Sequence, residues 1–227
     1  MEKQRIIRVT GKGNLKVHPD MTRITMTLNR IYREYGETLE EASLCTEALK
    51  ELLASFGFHH SDIKTLHFSV NPEMESYEEN GTYKSRLTGY SFTHRMKVEF
   101  ESDNDFLGKI LYALANSPLR PEFRLSYTVK DKETVKNQLL AKAVKDGRAK
   151  AEVLTAASGV QLGSLLSIDY SWGELELVQE PLGDILYETA PLARSYALDI
   201  EPDDIDAEDT VTMVWEIKTT PSEDNRW

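Results

Sequence analysis

Residues 9–20 read Val-Thr-Gly-Lys-Gly-Asn-Leu-Lys-Val-His-Pro-Asp, and a strand-like alternation follows at once. Two glycines one residue apart raise the question of a phosphate-binding loop. A dinucleotide fingerprint needs a further glycine three positions on, at the mouth of a helix. That position is Lys16, and the next element is strand-like. Gly11 and Gly13 therefore read as a bulge or tight strand bend, and Pro19-Asp20 as a turn. In the following segment Ile24, Met26 and Leu28 share one face, with Ile31 close to it, and Thr25, Thr27 and Asn29 take the other. Period-two alternation of this kind belongs to a half-buried strand. The short connection at His18-Pro19-Asp20 predicts a hairpin between the two strands.

The remaining pattern alternates helices with strands. Thr38 to Glu41 fits a capping box at the start of a helix. Leu39, Ala42, Leu49, Leu52, Leu53 and Phe56 form its apolar side, and Gly57 its left-handed stop. Glu40, Glu47 and Glu51 read as its solvated face. Ile63 to Val70 is a strand. A long polar hairpin spans 71–89, with its tip at Glu79-Asn80-Gly81, and Tyr90 to Phe100 returns. A second helix covers 102–116, and a short strand covers 123–129. A third helix runs from Lys132 to Ser158 and is closed by Gly159. In it Val135, Leu139, Ala143, Val153 and Leu154 are the expected core contacts, and the internal Gly147 marks a close contact or kink. Leu165 to Trp172 and Thr210 to Lys218 are the last strands. Between them lies an irregular stretch broken by Pro181, Pro191 and Pro202.

The order ββαββαβαββ predicts an α+β fold, with helices on one face of mainly antiparallel sheet. The helices ending at Gly57 and Gly159 lead into similar strands, the pattern of an internally duplicated helix-strand-strand unit or of a shared topology without common ancestry. The expected organisation is one domain over 1–227, with two sub-domains near 1–100 and 101–227 as the alternative.

Composition narrows the function classes. Of 227 residues, 40% are hydrophobic and 29% charged, as in a soluble globular chain. No apolar run approaches the roughly 20 residues of a membrane helix. The first residues carry no apolar leader core, so the chain as given reads as cytoplasmic, and as periplasmic or envelope-located if a leader was removed. The net charge of −11 and pI near 5.0 disfavour nucleic acid and anionic membranes. The basic residues between Lys130 and Lys150 read as a solvated helix face.

Candidate chemistry is sparse. His59 and His60 are adjacent, so their side chains diverge, and with His67 they do not compose a closed zinc set. No metal, no cofactor and no catalytic residue is expected. Cys45, the single cysteine, reads as a partly buried inert thiol. The acidic run of Asp199, Glu201, Asp203, Asp204, Asp206, Glu208 and Asp209 lacks the glycine and glutamate of a calcium loop and reads as a mobile solvated loop. Tyr77, Tyr83 and Tyr90, set among charges, are the candidate oligomer or partner contacts.

Several of these segments, in this order, resemble the SIMPL-domain family, bacterial proteins of unknown function related to periplasmic immunogenic oligomeric antigens. The matching residues are Val9, Gly11, Gly13, Pro19 and Asp20; Gly57 with Asp62 to Thr65; Gly89-Tyr90; and the helix 139–158 with Gly159 and Leu162-Gly163. The segment after Pro72 reads Glu73-Met74-Glu75, where the family is usually aromatic. The resemblance implies an α+β fold without known catalytic residues. It also implies homo-oligomers, ring- or channel-like in some relatives, a link to stress tolerance in others, and a signalling-kinase partner for a mammalian one. The leading expectation is thus a non-enzymatic, self-assembling protein. The alternatives are an adaptor that docks a basic partner on residues 199–209, and a small-molecule-binding domain or enzyme with a pocket the sequence does not reveal.

Overall fold

The computed structural model describes residues 5–170, 177–179 and 200–219. The elements are β1 (Ile6–Val17), β2 (Met21–Tyr32), α1 (Tyr35–Ala54), β3 (Lys64–Glu79), β4 (Thr82–Glu101), α2 (Asn104–Asn116), β5 (Glu122–Thr128), α3 (Lys132–Ala157), β6 (Val160–Asp169), β7 (Val178–Gln179) and β8 (Ile205–Thr219). This is the expected α+β class, and the order matches apart from the two-residue β7. The sheets have strand orders β1-β8-β6 and β3-β4-β2-β5-β7. The pairs β1·β8, β6·β8, β2·β4, β2·β5 and β3·β4 are all antiparallel. Two compact units result. A terminal unit lies within Met1–His18, Val129–Val178 and Asp203–Trp227, and a central unit within Pro19–Thr128 and Gln179–Pro202. Pro181, Pro191, Trp172 and Asp199 lie outside the described residues.

The expected hairpin between the first two strands does not form. β1 pairs with β8 along its whole length, from Ile6↔Glu216 to Val17↔Ile205. β2 pairs with β4 and β5 instead. The cause lies at the connection, residues 18–20, which makes no turn. The Asp20 N–H donates to the Thr128 carbonyl at 3.2 Å, and the Asp20 carbonyl accepts from the Ser102 N–H at 3.0 Å. These bonds open the chain toward β4 and β5, so it does not fold back on β1.

Within each unit the same pattern recurs: a strand, a helix and two further strands, the last of which sits between the other two. In the central unit this is β2-α1-β3-β4 with order β2-β4-β3, and in the terminal unit β1-α3-β6-β8 with order β1-β8-β6. The repeat hinted at by Gly57 and Gly159 is therefore visible as topology. Both glycines hold the positive φ of a helix stop, +93° and +68°.

The central core is made of large side chains. Ile24, Met26, Leu28, Phe92, Met96 and Val98 face Leu49 and Leu53 of α1 and Leu107, Ile110, Leu111 and Leu114 of α2. Each such side chain, fully buried, contributes about 1.5–3 kcal/mol. The predicted capping box is displaced. α1 begins at Tyr35, Glu34 holds the cap position without a side-chain bond, and buried Thr38 donates its hydroxyl to the Glu34 carbonyl at 2.8 Å. Helix starts at α2 and α3 do carry caps, from Asp103 and Asp131.

The terminal core is tighter. β1 runs in unbroken register with β8, so Gly11 and Gly13 mark no bulge. Their hydrogens face α3. A Cβ on Gly11 would stand 2.0 Å from the Ala143 carbonyl oxygen, and one on Gly13 2.1 Å from that of Leu139. The same Cβ on Gly11 would meet the Gly147 nitrogen at 2.5 Å, and a Cβ on Gly147 would in turn lie 3.2 Å from the Gly11 Cα. Leu139, Ala143, Gly147, Ala151 and Thr155 supply the buried stripe of α3. Val153 and Leu154, expected in the core, are exposed because they fall off that four-residue spacing.

Candidate functional site

β3 and β4 pair from Lys64↔Lys97 out to Glu79↔Thr82, so the polar segment 71–89 is a continuous two-stranded ribbon. Its tip is the predicted Asn80-Gly81 turn, with both residues at positive φ, 53° and 74°. The ribbon is bulged between Glu73 and Met74, where Thr88 is the extra residue of β4. Beside it, a Cβ on Gly89 would stand 2.3 Å from the Tyr32 carbonyl oxygen, so only glycine fits there.

Past the bulge the two faces of the ribbon differ. The pairs Glu75↔Arg86 and Tyr77↔Lys84 occupy one face. Arg86 donates to the Glu75 carboxylate from Nε at 2.9 Å and Nη2 at 2.6 Å, and its guanidinium lies 5.5 Å from the Tyr77 ring centroid. Nearer the turn, Lys84 pairs with Glu79. The other face carries Met74↔Leu87, Ser76↔Ser85 and Glu78↔Tyr83. Met74, Leu87 and Tyr83 are 56%, 50% and 80% exposed. Along β3 the same alternate set continues inward through Val70 and Phe68, which sit opposite buried Phe92 and His94. The tyrosines singled out from sequence thus separate. Tyr83 is on the apolar face, Tyr77 is under Arg86, and Tyr90 packs edge-on against Tyr35 at 5.4 Å.

β3 is also an edge strand. β1 is an edge strand too, but α3 caps it. The Lys12 N–H donates to Asp146 Oδ2 at 2.8 Å, and Lys142 Nζ donates to the Asn14 carbonyl at 3.2 Å. No helix side chain caps β3 in this way among the described residues.

Sequence patterning missed His94. It is buried on β4 between two threonine hydroxyls. Thr46 Oγ1 donates to the Ala42 carbonyl at 2.7 Å, so its 2.8 Å contact with Nδ1 takes the ring proton. Nε2 then accepts from Thr65 Oγ1 at 2.9 Å. Loss of solvent, and secondarily the charge of Lys50, holds the imidazole below its usual range. This bond set ties α1, β4 and β3 together. His94 stands among strand residues of mixed polarity, and only its even-numbered position beside Phe92 and Met96 signalled an inward face.

The acidic run is not a mobile loop where it is described. β8 starts at Ile205, so the acids from Asp206 onward are strand residues. Ile205 and Ala207 point inward, whereas Asp206 and Glu208 pair across to Lys16 and Lys12. Asp204 meets His18 at 3.3 Å, and Asp209 accepts from the Tyr170 hydroxyl at 2.9 Å. The alternation with Ile205 and Ala207 was the signal that the density of acids concealed. Cys45 is buried on α1. Of the three histidines weighed, His60 comes to rest beside Glu47 and Glu51, and His67 bonds Ser69 at 3.2 Å. No helix among the described residues is long and apolar enough to cross a membrane.

These features define an α+β protein of two βαββ units with a protruding ribbon. The family model "SIMPL: Protein of unknown function (DUF541)" matches residues 7–215, and the chain belongs to that family. It is similar to "Uncharacterized protein YggE" of Edwardsiella ictaluri (strain 93-146), with 23% identity over 210 residues, covering 92% of this chain and 85% of that protein. A solved chain, the regulatory subunit of aspartate kinase from Thermus flavus, is 10% identical across 92% of this chain and 89% of its own, but its TM-score of 0.17 bears on neither fold nor function.

Proposed function

We propose that the protein acts by assembling with copies of itself through the β3–β4 ribbon and that it turns over no substrate. The observation that carries this reading is the uncovered face formed by Met74 of the uncapped edge strand β3 and Leu87 and Tyr83 of its partner β4. Apolar side chains on a long free edge invite pairing with another chain. Removing these three side chains from water contributes about 1–2 kcal/mol each, given their exposure. The opposite face satisfies its own charges through Glu75, Arg86, Lys84 and Glu79, and so contributes orientation and little affinity. A net charge of −11 opposes self-association elsewhere on the surface, so assembly should strengthen as salt rises.

The adaptor reading has weaker support, because Asp206 and Glu208 already pair with Lys16 and Lys12 within the chain. A role in stress tolerance would operate at the level of the assembly. Sedimentation velocity across a concentration series tests the proposal. Wild-type protein should form a defined oligomer, and the double change Met74→Glu with Leu87→Glu should shift it to monomer with its far-UV circular dichroism unchanged. A wild-type chain that stays monomeric at high concentration and high salt would defeat the proposal, as would undiminished assembly of the double variant.

A further inference from the structure

We propose that Glu47, Glu51 and His60 form a surface site for one divalent cation of the zinc class. Glu47 and Glu51 stand one helical turn apart on α1 and so share a face. α1 stops near Gly57, whose φ of +93° turns the chain back on itself. The returning segment is closed by two bonds. The Asp62 N–H donates to the His59 carbonyl at 2.8 Å, and the His59 N–H donates to Asp62 Oδ2 at 2.9 Å. This turn sets the His60 ring against the two glutamates, with Nδ1 3.7 Å from Glu47 Oε1 and Nε2 3.4 Å from Glu51 Oε1. One ligand atom from each residue lies within 4.8 Å of the other two.

A neutral imidazole offers one lone pair to a cation. Its two nitrogens stand 3.7 and 3.4 Å from the carboxylate oxygens, beyond ordinary hydrogen-bond length, and the three side chains converge on one small volume. One nitrogen and two carboxylate donors suit zinc, nickel or copper, whereas calcium and magnesium favour all-oxygen sets. Three protein ligands leave a coordination position for water. The site closes the loop after α1 onto the helix's last turns, and it is independent of the ribbon.

The test is calorimetric titration of the full chain with zinc chloride at neutral pH in a non-chelating buffer. One zinc should bind per chain. Binding should weaken at least about tenfold in His60→Ala and in Glu51→Gln, and should be unchanged in His59→Ala and His67→Ala. Because the ligands are exposed, these variants keep the fold, which far-UV circular dichroism checks. Cobalt(II) should give a visible band that His60→Ala abolishes. Absence of saturable zinc binding overturns the proposal, as does equal binding by His60→Ala or loss of binding in His59→Ala.

Discussion

The two units share a βαββ topology and differ in what separates helix from sheet. In the central unit, α1 and α2 meet β2 and β4 through Leu49, Leu53, Leu111, Phe92 and Met96. In the terminal unit, α3 meets β1 through Gly11, Gly13, Ala143, Gly147 and Ala151, nearly backbone to backbone. The shared strand order does not set the depth of the layer between helix and sheet; the side chains that fill it do. The close approach has a second consequence. It lets Asp146 and Lys142 of α3 reach the backbone of β1 and cap its edge. β3 has no such neighbour among the described residues, and its outer half presents Met74 beside Leu87 of β4. β1 is thus a protected edge and β3 an available one, while β6, the counterpart of β3, is a second edge of the terminal sheet.

The comparison predicts opposite sensitivities. The central unit should suffer most from removing volume. Phe92→Ala should cost about 3–5 kcal/mol in a urea unfolding experiment, since it empties a fully buried site. The terminal unit should suffer most from adding volume. Gly11→Ala should cost about 3 kcal/mol, because its new Cβ meets a helix carbonyl 2.0 Å away and no side chain can yield. Gly147→Ala should be milder. Its nearest obstacle is the Met213 methyl at 2.3 Å, the flexible end of a side chain, the Gly11 backbone stands at a tight but less severe 3.2 Å, and the gain in helix propensity offsets about 1 kcal/mol. A neutral Gly11→Ala would break the contrast between the units. A Gly147→Ala as costly as Gly11→Ala would show that the Met213 methyl cannot yield.

The elements themselves were legible in the residues, because each rests on local pattern. Ile24, Met26 and Leu28 announce β2, Asn80-Gly81 announces the turn between β3 and β4, and Gly57 and Gly159 announce helix ends. What was not legible depended on partners distant in sequence. Gly11 and Gly13 were visible as constrained positions, but the constraint is α3, more than a hundred residues away, and not a bulge. Pro19-Asp20 marked the break between two strands, but no turn forms there and the strands do not pair, because Ser102 and Thr128 decide where the chain goes. The tyrosines were chosen for their type, and only register shows that Tyr83 shares an apolar face with Met74 and Leu87 while Tyr77 lies under Arg86. His94 and the Glu47–Glu51–His60 cluster required the fold to bring their members together.

Charge separates the units as well, and here the effects are smaller. Lowering the pH should first act on the central unit. His94 is held below its ordinary value by burial, so the unfolded chain takes up a proton before the folded one does. Stability should therefore fall as the pH drops below about 6.5, the unfolded imidazole value, and His94→Gln should flatten that slope in urea unfolding at successive pH values. Further into acid Glu99 takes over. Burial pushes its carboxyl up, but the hydrogen bonds and charges of Lys97 and Arg23 outweigh this and leave it lowered. Its contribution is present above the ordinary carboxylate range and is lost as the pH falls through the depressed value. The cross-strand pairs of the terminal unit, Lys12 with Glu208 and Lys16 with Asp206, are exposed and should contribute least. Glu208→Gln should cost at most about 0.5 kcal/mol, and the difference should vanish in molar salt. A larger, salt-resistant loss would mean that the acidic run anchors β8 to β1 through more than solvent-screened charge.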